Sequence, residues 1–330
     1  MMIQLAAKVE THPVRGGFTI ARGTRTVAET VVCEARLGAA IGRGEAVPYA
    51  RYDETTERTL DEIASLDLGT DQCEHALGEL QTALPAGAAR NAVDLALWDL
   101  RAKLTGQAAH LAICEAPPRP MVTAYTLSLG SVADMADAAR AARGHSLLKV
   151  KLGAGDGHDA SRMRAVSSAA PDSRLILDAN EGWRPDGMLD LMLQAARIGA
   201  IMIEQPLPAG EDAVLGEMPH PVPICADESA HSSDDLASLI GRYDLINIKL
   251  DKSGGLTEAL RMRREARRLG FGVMVGCMLS SSLAMAPAVL LAQEADYADL
   301  DGPLLLAKDR SPGLSYSGSI VSPPSRELWG

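Results

Sequence analysis

Beyond residue 120 the chain breaks into short apolar runs at a nearly even interval, each closing on a polar or reactive residue. They read TAYTLSLG from Thr123, LLKVKLG from Leu147, RLILDAN from Arg174 and AIMIEQP from Ala200. PICADES from Pro223, LINIKLD from Leu245, GVMVGCM from Gly272 and YADLDGP from Tyr297 complete eight. Their closing residues are Thr126, Lys151, Asp178, Glu204, Asp227, Lys249, Cys277 and Asp299, spaced by 25, 27, 26, 23, 22, 28 and 22 residues. Each step holds one strand, one helix and two short connections. The stretches between agree: Val132 to Arg143 is Ala-rich at helical spacing, and Thr257 to Leu269 sets Leu260, Met262, Ala266 and Leu269 among arginines before Gly270. Near-continuous apolar strands alternating with helices predict a parallel sheet covered by helices. Eight of them predict a closed β/α barrel. The competing architecture is an open doubly wound sheet, but no GxGxxG or phosphate loop follows any strand.

Residues 1–120 carry a different pattern. Ile3–Val9, Phe18–Ala21 and Ala28–Glu34 read as an antiparallel meander, and Ala88 to Leu104 as a helix with Val93, Leu95, Leu97 and Leu100 among its apolar positions. The stretch Pro117-Pro118-Arg119-Pro120 marks the boundary. The expected organisation is an α+β capping domain over 1–120, completed by 311–330, and a barrel over 121–310.

The chain has 330 residues, 47% hydrophobic and 23% charged, ample for a packed core. Aromatics at 3% and a net charge of −11 argue against a nucleic-acid surface. No apolar run reaches the ~18 residues of a membrane span. The opening stretch lacks the pattern of a secretion signal. The five cysteines are scattered without zinc or disulfide spacing. A cytoplasmic protein is expected, with a homo-oligomer left open.

Barrel enzymes gather their chemistry at the C-terminal ends of the strands. Three consecutive strand ends here carry Asp178, Glu204 and Asp227. Each alone reads best as a helix cap. Three in succession would repel unless a cation lay between them, and hard oxygen donors favour Mg²⁺. Lys149 and Lys151 share one strand face, and Lys249 comes from the opposite wall. Positive charge from the metal and Lys149 is expected to lower the Lys151 pKa and supply neutral amine. Asp299 and Asp301 also share a face, beyond Lys249 and away from the three acids. They read as a second metal site, a cap, or a clamp for a substrate ammonium. Ser280-Ser281-Ser282 has no histidine placed as its base and reads as a solvated loop.

These features resemble the enolase superfamily, and within it the dipeptide epimerases of the L-Ala-D/L-Glu type. The resemblance rests on FTIARGTR from Phe18, PYARY from Pro48, AARNAVDLALWDL from Ala88 and the KxK at 149–151. It continues through DANEGW, EQP and ADES, Asn247-Ile248-Lys249, Gly254-Gly255-Leu256, Gly276-Cys277-Met278 and the DxD at 299–301. It implies a modified (β/α)7β barrel beneath an α+β cap, one Mg²⁺ per subunit on Asp178, Glu204 and Asp227, and Lys151 and Lys249 as acid/base pair with Lys149 as electrostatic helper. Substrate contacts are implied at Arg25, Thr126, Cys277, Asp299 and Asp301, with Arg25 meeting the side-chain carboxylate of a C-terminal Glu. Many relatives have an acid where Ser280 stands, which weakens any role carried over to it. The implied reaction is isomerisation: a two-base 1,1-proton transfer that inverts the α-carbon of the C-terminal residue of a dipeptide through an enediolate. The rivals are a succinylbenzoate-synthase or muconate-cycloisomerase-like reaction on the same scaffold, a Schiff-base aldolase using Lys151 or Lys249, and a binder without catalysis.

Overall fold

The computed structural model describes all 330 residues. The chain opens with a three-stranded antiparallel sheet: β1 (Gln4–Ile20), β2 (Gly23–Leu37) and β3 (Ala40–Ala46). Two of the expected strands are one long strand, irregular between Pro13 and Phe18, where Gly16 and Gly17 take positive φ. The sequence reading missed β3. Its glycines explain why: Gly42 and Gly44 let the strand lie directly on the helix Ala88–Thr105, where a Cβ would sit 2.1 Å from the Ala96 carbonyl and 2.2 Å from that of Ala92. Small residues that weaken a strand signal are what this packing requires. Helices Thr56–Ala64 and Cys73–Ala83 complete this N-terminal domain.

After β4 (Met121–Val122) come eight strands joined in one parallel sheet in chain order. They are β5 (Tyr125–Leu127), β6 (Leu147–Lys151), β7 (Arg174–Asp178), β8 (Met202–Glu204), β9 (Ile224–Ala226), β10 (Leu245–Ile248), β11 (Gly272–Val275) and β12 (Tyr297–Ala298). The Ala124 N–H donates to the Ala298 carbonyl at 2.9 Å, so the last strand meets the first, and the C-terminal domain is an α/β barrel. The closing strands β13 (Tyr316–Ser317) and β14 (Ile320–Val321) pair back onto β4, and the Trp329 indole donates to Leu95 O on the long helix.

Two crossovers differ from the expected helix. β8 to β9 passes through a 3₁₀ turn, Ala213–Glu217, and β9 to β10 through another, Leu236–Leu239. The first is hemmed by Pro206, Pro208, Pro219, Pro221 and Pro223. In the second, Asp235 takes the N–H groups of His231 and Ser232 in a local turn that competes with an α-helix. The serine run is also not a solvated loop. Ser280, Ser281 and Ser282 are fully buried; Ser281 caps helix Ser282–Leu291 and bonds Glu45, while Ser282 bonds Asp309.

The long helix bolts the two domains together. Helix Leu256–Arg268 begins at Gly255, which has no side chain to cap it. Its first N–H groups are instead taken by Asp94 from the other domain, at 2.7 Å from Leu256 and 3.2 Å from Thr257. Gly255 (φ 117°) admits this, since a Cβ there would lie 2.5 Å from the Asp94 side chain. Arg90 holds the carbonyls of Ser253 and Gly254, and Asp251 accepts from Val47 N–H and Asn91. Asp94→Ala should therefore cost about 2 kcal/mol, by losing a cap and stranding buried N–H groups. The check is a denaturant titration, with a lower midpoint and an unchanged slope expected.

Candidate active site

Side chains on a strand alternate between faces, so residues two apart stack along the barrel axis. A buried apolar plug of Ala124, Leu147, Ile176, Met202, Cys225, Leu245 and Met274 fills the barrel, one residue from each of seven consecutive strand segments. Two residues further along come Thr126, Lys149, Asp178, Glu204, Asp227, Asn247 and Gly276. Two further again lie Lys151 and Lys249. The polar layer thus follows from strand register: an apolar floor with charges directly above it.

That layer is neutralised from within. Lys149, about 1% exposed, places Nζ 3.1 Å from Asp178, 2.7 Å from Glu204 and 2.7 Å from Asp299. Lys151 Nζ bonds Asp178 at 2.6 Å, and Lys249 Nζ bonds Asp227 at 2.6 Å. Barrel closure therefore places Asp299 against Lys149, beside the acids rather than away from them as its chain position suggested. Asp301 accepts the Thr126 N–H at 2.6 Å across the same seam. Above lies a chamber of about 250 Å³, lined from the barrel by Thr126, Lys149, Lys151, Lys249, Cys277, Asp299 and Asp301, and from the other domain by Phe18, Ile20, Arg22 and Arg25. Arg25 lies 5.0 Å from the centre of the Tyr49 ring.

Several residues of the site escaped the sequence reading. Lys252 is buried, donates to the carbonyls of Asp227, Ala230 and Asn247, and sits 2.7 Å from Asp227 Oδ1. Asn247 donates to Glu204 Oε1 at 2.9 Å, and Gly276 leaves room for its amide, which a Cβ would meet at 2.6 Å. Gln205 accepts the Asp227 N–H and pins the Asp227 loop through Ser229 and Tyr243. Period-two counting from the plug would have found Asn247 and Gly276; Lys252 lies on a short helix, where that count does not reach.

Charge sets the proton affinities here. Burial pushes the Asp178 carboxyl up, but Lys151 and Lys149 outweigh it and hold it at about 2. Burial and then the Asp178 charge lift Glu204 to about 8. Burial works against the charge on Lys149 and Lys249, yet their carboxylates keep both well above the ordinary lysine value. Burial foremost, then Asp299 and Asp301, lifts the Cys277 thiol well above its usual range, so it is no thiolate.

The candidate metal ligands fit a hard divalent cation by chemistry. All three are carboxylates and buried, and Glu204 Oε2 and Asp227 Oδ1 each face an ammonium group at 2.7 Å, that of Lys149 and that of Lys252, positive charge of the kind a metal ion would bring. The strong lift on Glu204 is what a cation beside it would reverse. No three acids, imidazoles or thiols are already drawn to metal-ligand spacing; the ammonium groups take that place.

Residues 131–308 match the model of the enolase C-terminal domain-like family, and residues 2–111 match the N-terminal domain of the mandelate racemase / muconate lactonizing enzyme family. The chain belongs to the enolase superfamily. Within the superfamily, an L-Ala-D/L-Glu epimerase of Escherichia coli K12 is 46% identical over 93% of this chain and 96% of its own. An N-acetyl-D-glutamate racemase of Pseudoalteromonas is 45% identical over 88% and 91%. A crystal structure of an enolase family member from Agrobacterium tumefaciens, with homology to dipeptide epimerases and holding sodium and L-Ala-L-Glu, shares 53% identity with a TM-score of 0.94 over 99% of this chain and 100% of that one. A Cytophaga hutchinsonii dipeptide epimerase with Mg and D-Ala-L-Val shares 26% identity with a TM-score of 0.91 over 98% and 94%.

Asn247→Leu removes the donor that orients Glu204 and leaves all three candidate ligands in place. It should weaken Mg²⁺ or Mn²⁺ binding roughly 10–100-fold, read by calorimetric titration of a protein whose circular dichroism is unchanged.

Proposed function

We propose that this chain is a divalent-metal-dependent dipeptide epimerase, an isomerase that inverts the α-carbon of the C-terminal residue of L-Ala-D/L-Glu-type dipeptides by two-base proton transfer. The observation that carries the reading is the placement of Lys151 and Lys249. Their strands, β6 and β10, stand four apart in an eight-strand ring, so the two ammonium groups face one chamber from opposite sides. We read Asp178, Glu204 and Asp227 as the ligands of one Mg²⁺ per subunit, the barrel as (β/α)7β, and the chain as a cap (1–120 with 311–330) over a barrel (121–310). Seven crossovers, with only the four-residue helix Gly302–Leu305 after the last strand, support the barrel reading.

When bound, the ion supplies positive charge that acidifies the α-proton of a carboxylate it holds. The chain's own residues do the rest. One lysine, as free amine, takes the α-proton from its face; the other, as ammonium, returns a proton to the opposite face, and the centre inverts. Lys149 meets the charge that develops on the substrate carboxylate. Arg25 offers a planar fork to the side-chain carboxylate of a C-terminal Glu. Asp299 and Asp301, with Thr126 and Cys277 beside them, offer negative charge to the N-terminal ammonium. Epimerase relatives at this identity favour this reading over the synthase and cycloisomerase reactions. No helix is long and apolar enough to cross a membrane, and we place the enzyme in the cytoplasm. The relative that racemises N-acetyl-D-glutamate carries one alternative: an N-acylated Glu offers the same carboxylates but no ammonium.

Lys151→Ala and Lys249→Ala should each abolish epimerisation of L-Ala-L-Glu while leaving α-proton exchange in D₂O for the one stereoisomer the surviving lysine reaches. Wild-type turnover by either variant would reject the two-base mechanism. Free L-Ala-L-Glu should exceed both its N-acetyl derivative and N-acetylglutamate in kcat/KM. A preference for N-acetylglutamate would move the assignment to the racemase.

A further inference from the structure

The tip of the β1–β2 hairpin hangs over the chamber and carries Arg25 on β2, opposite Phe18 on β1. Three glycines shape its backbone, Gly16, Gly17 and Gly23, all at positive φ, and nothing lies within 4 Å of where a Gly23 Cβ would be. One edge is tied to the barrel by the Leu129 N–H on Thr19 O. The other edge is tied by a single side chain, Arg22. Its Nη2 donates to Glu228 Oε1 at 2.7 Å, and its Nη1 donates to Glu181 Oε2 at 3.0 Å and to Asn180 O at 3.2 Å.

The receiving groups belong to the loops that follow β7 and β9, each beside a candidate metal ligand. Glu228 adjoins Asp227; its side chain is 2% exposed, and its second oxygen, Oε2, is buried without a partner. Asn180 and Glu181 hold positive φ of 46° and 67°, conformations that non-glycine residues keep only where their surroundings demand it. Glu181 is further fixed by the Ala209 N–H and by a two-pronged contact from Arg51. Arg22 Nη2 also reaches the Tyr49 hydroxyl at 3.5 Å, and Arg25 lies over the same tyrosine's ring.

We propose that Arg22 is a positioning residue, latching the hairpin tip onto Glu228 and Glu181 so that Arg25, three residues on, is aimed into the chamber. The sequence offers two arginines in FTIARGTR; the ion-paired one is the latch, and Arg25 is the one presented to the substrate. The kinetic side of this proposal rests on the epimerase reading, and its dynamic side does not.

The test compares wild type, Arg22→Ala, Arg22→Lys and Arg51→Ala, all with Mg²⁺. Arg51→Ala removes a charge from Glu181 but leaves the hairpin tip tied, so it serves as the contrast. The readouts are kcat and KM for L-Ala-L-Glu and for uncharged L-Ala-L-Leu, and amide hydrogen exchange over residues 20–26. Arg22→Ala should lose its preference for Glu over Leu by roughly ten- to a hundredfold, the scale of a misplacement of about an ångström. Exchange over 20–26 should quicken while the barrel stays protected, Arg22→Lys should recover part of both, and Arg51→Ala should leave both near wild type. An Arg22→Ala enzyme that keeps its preference for Glu, or keeps residues 20–26 protected, overturns the latch. If wild type turns over neither dipeptide, the epimerase reading fails and hydrogen exchange alone decides the latch.

Discussion

Buried charge above an apolar floor is the constraint on which this molecule turns. Lys149, Lys151, Lys249 and Lys252 are matched by Asp178, Glu204, Asp227 and Asp299 in a ring that water scarcely enters. Each ion depends on its neighbours, because removing one partner of a buried pair leaves an uncompensated charge, at a cost of about 3–5 kcal/mol. The ring therefore behaves as one unit. It also defines a chemical problem. A general base must be a free amine, while Lys151 and Lys249 each bond a carboxylate at 2.6 Å, and against its burial the Asp227 charge keeps Lys249 well above the ordinary lysine value. Only a competing cation at the acids frees the amines, so metal affinity and lysine basicity are coupled in the proposed reaction.

Such a ring needs a fixed scaffold beside it and a cover over its chamber. The scaffold is the joint between the domains. Asp94 caps a barrel helix from outside it, Arg90 takes up two barrel carbonyls, and Asp251 of the barrel accepts from Val47 N–H and Asn91. Every element of that joint is buried and short-ranged. The roof is the opposite: a glycine-flanked hairpin tip held on one edge by Arg22, a partly exposed side chain. The same N-terminal domain thus meets the barrel wall through buried contacts and covers the chamber through partly exposed ones.

The sequence carried the barrel in its period. Apolar runs closing on residues such as Lys151, Asp178, Glu204, Asp227 and Lys249 disclose eight strands and their polar ends, because strands covered on both faces are mostly apolar along their length, Lys149 within β6 being the charged exception. Other features rest on contacts between residues far apart in the chain. Arg22 pairs with Glu228 across 206 positions, and Asp94 caps Leu256 across 162. Neither leaves a local pattern. β3 was obscured by the glycines its packing requires, the first 3₁₀ crossover by its prolines, and the second by the local turn that Asp235 makes with His231 and Ser232. The serine run misled because Ser reads as polar, yet Ser281 and Ser282 spend their hydroxyls on buried Glu45 and half-buried Asp309.

The paired carboxylates at the end of the barrel are not equivalent, and that shapes what they can hold. Asp299 gives one oxygen to Lys149, and its other, Oδ1, is buried with no partner. Asp301 gives one oxygen to the Thr126 N–H, and burial, then the Asp299 charge, lifts its carboxyl to about 7. Two anions this close share the cost of a second negative charge, and Asp301 carries most of it. An ammonium entering the chamber removes that cost for both at once. An acylated nitrogen brings no charge and leaves Asp301 nearer its neutral form, which donates through its hydroxyl and accepts through its other oxygen but offers no full charge. In the proposed epimerase reading, the choice between a free dipeptide and an N-acyl amino acid rests on these two carboxylates, since only the dipeptide brings a positive charge to them.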